Sequence, residues 1–385
     1  MDLVASEEQR LLRDAALLFA RERMGHERAR ALEQRAAAGD HAHDAELASE
    51  LGSLGWSGAA LPAAQGGEGL GLLELALVIE ACGTAPLPTT LFGSVVEAGL
   101  LIAGGGSDEQ RARWLPRIAA GEAVLTAALL EQEGEFAASA LRTRAEPRAG
   151  GGYRIEGAKV LVRDAGAADA VIVAARDDSA GQAPGVSLLL VERGTPGLEL
   201  RPQPPAAGEP LFSLRLDGVE VGQEALLGPP GAGREHVERL LARGAALKAA
   251  ELVGIGQAAL DLTLDYARER TQFGRPIGSF QAVQHHCADI YREVAACRLL
   301  AYRAAWSLDR ADGELPPSAV RRAVASAKAK ASEAIPWATR LAHQVHGGVG
   351  YYRDYPLEIF TRRAIAAAAA YGDARYHRRR LAGVL

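Results

Sequence analysis

The chain of 385 residues is 48% hydrophobic and 24% charged, and it carries a formal net charge of −5. Such a length can bury large cores and suggests two or three domains, and the acidic balance argues against a general nucleic-acid binder. No apolar run reaches the ~18–20 residues of a membrane span, and the opening MDLVASEEQRLLRD has no basic region feeding an apolar stretch, so a cytoplasmic protein with no membrane partner is expected.

From about residue 6 to 120 apolar residues recur at helical spacing. In the first segment Leu11, Leu12, Ala15, Leu18 and Phe19 are expected to share the buried face, with Arg and Glu opposite. Pro62, the glycine-rich loop 66–71 and Ala85-Pro-Leu-Pro interrupt this run. An all-helical N-terminal domain over 1–122 follows. From about Val124 the pattern changes to short β-rich runs, including 153–162, 170–175, 186–191 and 211–216, separated by Gly, Pro and Asp. They predict a middle antiparallel β-barrel or sandwich over 123–230. After Pro229-Pro230-Gly231 the helical period returns, with long amphipathic segments near 233–270, 279–311 and 317–346. Four or five helices are expected to bundle over 231–385. The predicted fold is therefore mainly α with a central β-domain.

Cys82, Cys287 and Cys297 have neither paired nor metal-ligand spacing and are expected to be reduced packing residues. His285 and His286 beside Cys287 face different ways on a helix, so no metal site is predicted.

Two segments carry chemistry. In 265–290, DYARERTQFGRPIGSFQAVQHHCADI, a helix stops at a Gly-Arg-Pro turn and restarts, leaving Arg270 and Phe273 at the break. An arginine fork matches two phosphate oxygens at once, and a flat ring beside it suits a heterocycle, as a dinucleotide requires. The alternative is an ordinary cation at a helix C-terminus. The second segment, Gln344-Val-His-Gly-Gly-Val-Gly-Tyr-Tyr, puts Gly347, Gly348 and Gly350 after another helix. Such a loop lets backbone approach a ligand, or simply turns the chain between helices.

The words R-x-Q-F-G-x-P-I-x-x-F-Q (Arg270, Gln272, Phe273, Ile277, Phe280, Gln281) and Q-x-H-G-G-x-G-Y (Gln344, Gly347, Gly348), about seventy residues apart, resemble the acyl-CoA dehydrogenase family of flavoproteins. The stretches at 66–71, 80–84 and 152–159 look like the family as well. The resemblance implies FAD held by these residues and an oxidoreductase that desaturates an acyl-CoA or acyl-carrier thioester, in lipid, fatty acid or sterol breakdown. Electron-transfer flavoprotein is the implied acceptor. In such enzymes a carboxylate removes the α proton while hydride leaves the β carbon for the flavin.

The chain departs from this pattern where that chemistry is done. The base is expected as a Glu some nine residues beyond an Arg; counted from Arg362, that position is Tyr371. A second place used by some relatives falls at Gly244, and neither is a carboxylate. Asp373, two residues on, is the candidate substitute, or else a helix cap or a partner for Arg375 and Arg378; Glu251 is a more distant one. On the flavin-facing side only Thr126 survives of a Leu-Thr-Glu-Pro motif, and Arg163 stands where relatives carry a Thr. An Arg there either steadies a reduced flavin or occupies a space where none binds. Ala245 replaces an Arg that orients the CoA-binding helix, its nearest cation being Arg243.

In the family each FAD lies across a dimer interface, and the elements retained here are those given to the neighbour. That asymmetry resembles the short subunits of heterotetrameric acyl-CoA dehydrogenases, so a homologous partner subunit is expected. The alternatives are a self-sufficient homo-oligomer using Asp373 on an unusual thioester, and a flavin-dependent descendant of the fold with other chemistry.

Overall fold

The computed structural model describes residues 5–39, 43–134, 140–178, 185–204, 208–311 and 313–383. Helix α1 (Glu7–Arg23) starts at a reciprocal cap, the Gln9 N–H donating to the Ser6 hydroxyl and the Ser6 N–H to the Gln9 side chain. Its buried face is Ala16 and Ala20, with Leu12 and Phe19 packed beside them. Leu11 and Leu18 are 65% and 55% exposed and Ala15 is exposed, which corrects the expected face. Positions 12, 16, 19 and 20 form one stripe at helical spacing, whereas 11, 15 and 18 lie one residue, about 100°, round the helix.

Helices α2 (His26–Ala37) and α3 (Ala45–Ser53) follow, α3 capped by the Asp44 side chain, and α4 (Leu72–Gly83) packs against α1. A π-helical segment, Leu91–Gly99, is buried at every residue and runs into α5 (Leu100–Gly105). The wider π turn re-aims side chains relative to an α-helix, and this segment carries Glu97 inside an apolar run. Helix α6 (Asp108–Ala119) completes the layer.

The central sheet comprises β1 (Leu125–Ala128), β2 (Arg144–Pro147), β3 (Tyr153–Arg163), β4 (Ala170–Asp177), β5 (Gly185–Glu192), β6 (Leu198–Gln203), β7 (Leu211–Val221) and β8 (Leu226–Leu227), in the order β6-β7-β3-β2-β4-β5-β8 with β1 on β4. Pairing is antiparallel except where β1 and β2 run parallel to β4. Strands β4 and β5 serve two cores. Ile172, Ala174, Leu188 and Leu190 face the helices, while Val171, Val173, Leu189 and Val191 face the sheet's own interior. The near-continuous apolar runs follow from this two-sided burial. Lys159, fully buried, is neutralised by Glu131 at 2.8 Å.

The C-terminal bundle holds α7 (Gly233–Glu269), α8 (Gln281–Asp309), α9 (Pro317–His346), α10 (Leu357–Ala369) and α11 (Ala374–Ala382), so the helix, sheet, helix order matches the expected fold. Helix α7 is its axle, packed against α4, α8, α9 and α10. Among the described residues no helix is long and apolar enough to cross a membrane. Cys82 and Cys297 are buried, which pushes both thiols up to about 12.

Candidate functional site

Two regions matter, an exposed strip at one end of the bundle and a closed cleft between sheet and helices. The strip begins where α7 stops at Arg270. A short hairpin, β9 (Thr271–Gln272) and β10 (Arg275–Pro276), turns through Phe273 and Gly274 with φ of 53° and 77°. Positive φ at both central residues is the I′ turn that suits a two-residue hairpin. The turn throws Phe273 outward to 93% exposure, its ring touched only edge-on by Phe280, against which Arg275 packs at 4.2 Å. Arg270 is exposed, and its side chain has no partner among the described residues. Gln272, Gln281 and Gln344 are exposed as well, and Ile277 and Phe280 half-buried.

The second half of the strip is joined to the first by stacked rings. Helix α9 ends at Gly347, whose φ of 61° and ψ of −142° only glycine adopts readily. One residue earlier, His346 stacks on Tyr266, in the last turn of α7, at 4.6 Å. Its Nδ1–H donates to Ala342 O and its Nε2 accepts from the Tyr355 hydroxyl at 2.9 Å, an arrangement for a neutral ring, and burial does lower its pKa. Arg270 and the exposed Gly347 and Gly348 are thereby carried by one rigid corner, with Tyr351 and Tyr352 exposed beside them.

The closed cleft is lined by charges in alternating order. The Thr126 and Tyr371 hydroxyls donate to Glu97, the former at 3.0 Å. Glu97 accepts from Arg163 at 3.2 Å, and Arg163 reaches on to Glu209 at 3.3 Å. Lys248 bridges Glu209 at 3.2 Å and Glu251 at 2.6 Å; Arg363 bonds Glu251 at 2.8 Å and ends the series on Ala85 O. Burial would raise the Glu209 carboxyl, but Lys248 and Arg163 outweigh it and hold the group down to about 2. Asp164 is pushed up to about 7 by burial and by Glu209, which outweigh the opposing pull of Arg163 and Lys248. A cavity of about 20 Å³ remains beside the series, between Phe92, Arg163, Glu209, Glu251 and Arg363.

The phenol of Tyr371 closes one end. Tyr371 is buried, at φ 54°, and its pKa is raised well above the ordinary value by burial and then by Glu97, so it donates. A methyl group on Gly244 would lie 2.4 Å from its ring. Positions 371 and 244, the two places where the resemblance leads one to expect a base, thus meet at one point, which the Tyr371 ring fills. The turn is anchored from below, Lys328 donating to Ala368 O and Gly372 O and the His377 ring bonding Tyr371 O. Asp373 is exposed and serves as a helix cap, its side chain accepting from Tyr376 N–H at 2.7 Å at the start of α11. Ala245 is buried in α7.

Family models describe this chain almost end to end: the acyl-CoA dehydrogenase N-terminal domain matches residues 6–122, the middle domain 126–219 and the C-terminal domain 231–385. The chain belongs to the acyl-CoA dehydrogenase family. It is 36% identical to cyclohex-1-ene-1-carbonyl-CoA dehydrogenase of Geobacter metallireducens over 83% of this chain and 84% of that protein. Among solved structures it is similar to a glutaryl-coenzyme A dehydrogenase in complex with glutaryl-CoA, with a TM-score of 0.90 at 29% identity over 100% of this chain and 98% of that one. It is also similar to a chain of the ChsE4-ChsE5 complex from Mycobacterium tuberculosis, with a TM-score of 0.86 at 29% identity over 100% and 98%.

The chain is similar too to PigA, with a TM-score of 0.88 at 25% identity over 100% of this chain and 98% of that one, in a structure whose ligand is FAD. The exposed strip suits FAD: Arg270 offers an unengaged guanidinium fork to a pyrophosphate, the glycines leave backbone accessible, and Phe273 offers a ring face. The cleft does not suit it, because the Thr126 hydroxyl is engaged by Glu97 and the Arg163 side chain crosses the space toward Glu97 and Glu209.

Thr126, Arg163, Tyr371 and Glu251 stand out in the sequence, whereas Glu97, Glu209, Lys248 and Arg363 join them only in the folded chain. Glu97 had a signal, a lone carboxylate in LFGSVVEAGLLI. Lys248 and Glu251 had another, opposite charges three apart within an Ala/Leu helix.

Proposed function

We propose that this chain is the non-dehydrogenating member of a two-subunit acyl-CoA dehydrogenase, helping a homologous partner hold FAD without itself removing a proton from substrate. The observation that carries the reading is Tyr371, a phenol whose hydroxyl is given to Glu97, at the position where the base is expected. A donor that stays protonated cannot accept an α proton. Arg270 then acts as an electrostatic clamp, the Gly347–Gly348 backbone comes close to the ligand, and Phe273 shields it from water. FAD, once bound, supplies hydride acceptance in the partner's cleft, and an acyl-CoA thioester and electron-transfer flavoprotein are the matching substrate and acceptor.

The alternative, a self-sufficient enzyme using Asp373, requires that carboxylate to give up the Tyr376 N–H. One experiment separates them, on the complex co-purified with a longer homologue that has an intact glutamate. Arg270→Ala should weaken FAD retention roughly 10- to 150-fold, the equivalent of about 1.5–3 kcal/mol for a charge-assisted contact. Asp373→Asn should leave turnover within about twofold, because Asn caps a helix as well as Asp. A loss of roughly 10²–10⁴ in the Asp373 variant would establish a base there instead.

A further inference from the structure

The alternating series in the cleft has a property that no single pair in it shows. Three cations, Arg163, Lys248 and Arg363, interleave with three carboxylates, Glu97, Glu209 and Glu251, and each carboxylate receives at least two donors. The members come from different layers: Glu97 from the π-helical segment, Arg163 from the end of β3, Glu209 from the loop before β7, Lys248 and Glu251 from α7, and Arg363 from α10. Lys248, Glu251, Arg363 and Glu97 are 5% exposed or less. The series therefore crosses the junction of the sheet with both helical layers as one self-neutralised unit. The space beside it is about 20 Å³, as is a second cavity beyond Asp164 and Pro210. Either holds about one water, against the roughly 300–1,000 Å³ of a small-molecule site.

We propose that this ladder, with Tyr371, is a built-in plug: it fills this chain's own flavin–thioester cleft with the chain's own side chains and confines FAD binding to the exposed strip around Arg270 and Gly347. The inference rests on the partner-subunit reading for the use of the strip, but the plug itself rests on the ladder. Charge explains why it stays shut. No member can swing out alone without leaving an unmatched partner buried, so opening requires several side chains to move together. Thr126 is tied in by its hydroxyl, which leaves that side of the cleft without the free donor a ring would need.

The test uses the full-length chain purified alone, titrated with FAD and with ADP by calorimetry. For the wild-type chain the strip alone is available, so FAD should bind within about threefold of ADP. The variant E97Q/R163T/Y371G removes one charge of each sign and puts glycine at a positive-φ position. In it FAD should bind at least about tenfold tighter than ADP, with ADP affinity unchanged. A wild-type chain that already prefers FAD by tenfold overturns the plug, as does a folded variant that gains no preference. If the variant does not fold, the wild-type ratio decides alone. Gain of FAD in this variant without loss from Arg270→Ala in the mixed complex would keep the plug and remove the partner reading. Loss from Arg270→Ala without that gain would do the reverse.

Discussion

Gly244→Ala gives a sharp test of the contact between α7 and the Tyr371 ring. In an exposed helix interior this substitution stabilises by about 1 kcal/mol. In α7 the new methyl would sit 2.4 Å from the Tyr371 ring, where ordinary carbon contacts need about 3.5–4.0 Å. The ring must retreat by about 1 Å, yet its hydroxyl is tied to Glu97 and its face packs near Phe92, with centroids 6.3 Å apart. Overpacking of this kind costs about 1–3 kcal/mol, so the net effect should be a loss of about 1 kcal/mol. In a Tyr371→Gly background the obstacle is gone and only the helical gain of about 1 kcal/mol remains. The sign of the Gly244→Ala effect should therefore reverse between the two backgrounds, with a coupling of about 2 kcal/mol. Thermal unfolding midpoints of the wild type, both single variants and the double variant measure it. A rise in midpoint with Gly244→Ala in the wild-type background, or equal effects in both, would refute the packing of Tyr371 over α7.

Two further outcomes follow from the buried charges. Glu251→Gln leaves Lys248 and Arg363 sharing too few carboxylates and should cost about 3–5 kcal/mol, most of it recovered when Lys248→Met is added; denaturant midpoints that put the double variant below the single one would contradict the ladder. Lys328, buried with three neutral acceptors, has its ammonium brought down from 10.5 to about 7 by burial and then by Lys248. The unfolded chain keeps that proton up to about 10.5, so between these values it binds more protons than the folded chain and stability should climb with pH. The climb from pH 7 to 9 should be about 2–3 kcal/mol in the wild type and absent in Lys328→Met; parallel pH profiles would show that Lys328 does not titrate this way.

The three long bundle helices were legible because their amphipathic period is uninterrupted and prolines punctuate it, at Pro229-Pro230 and Pro316-Pro317. The strip was legible for a related reason. Arg270, Phe273 and the glycines lie in two short local words, and each word sits where a helix ends. Helix α1 misled because Ala16 and Ala20, not Leu11 and Leu18, centre its inward stripe; apolar size does not report which stripe meets α4 when a small side chain allows closer approach. The ladder was largely hidden because its members are brought together by tertiary packing. Arg362 and Arg363 show why: the first pairs with Glu33 and Glu358 near the surface while its neighbour is buried on Glu251. One step of rotation round α10 decides between them, and nothing local in the sequence states it. Glu209 sits in a loop beside Gly208 and Pro210 and had no local signal at all.

The alternating ladder also bears on how such a chain can change over time. Any one substitution that deletes a member leaves an odd charge in the interior, so any route to an open cleft runs through destabilised intermediates. A glutamate placed at 371 would add a fourth carboxylate beside Glu97 with no cation to spare. Substitutions at these sites should be tolerated in charge-matched pairs, so the closed cleft can change only by coupled steps.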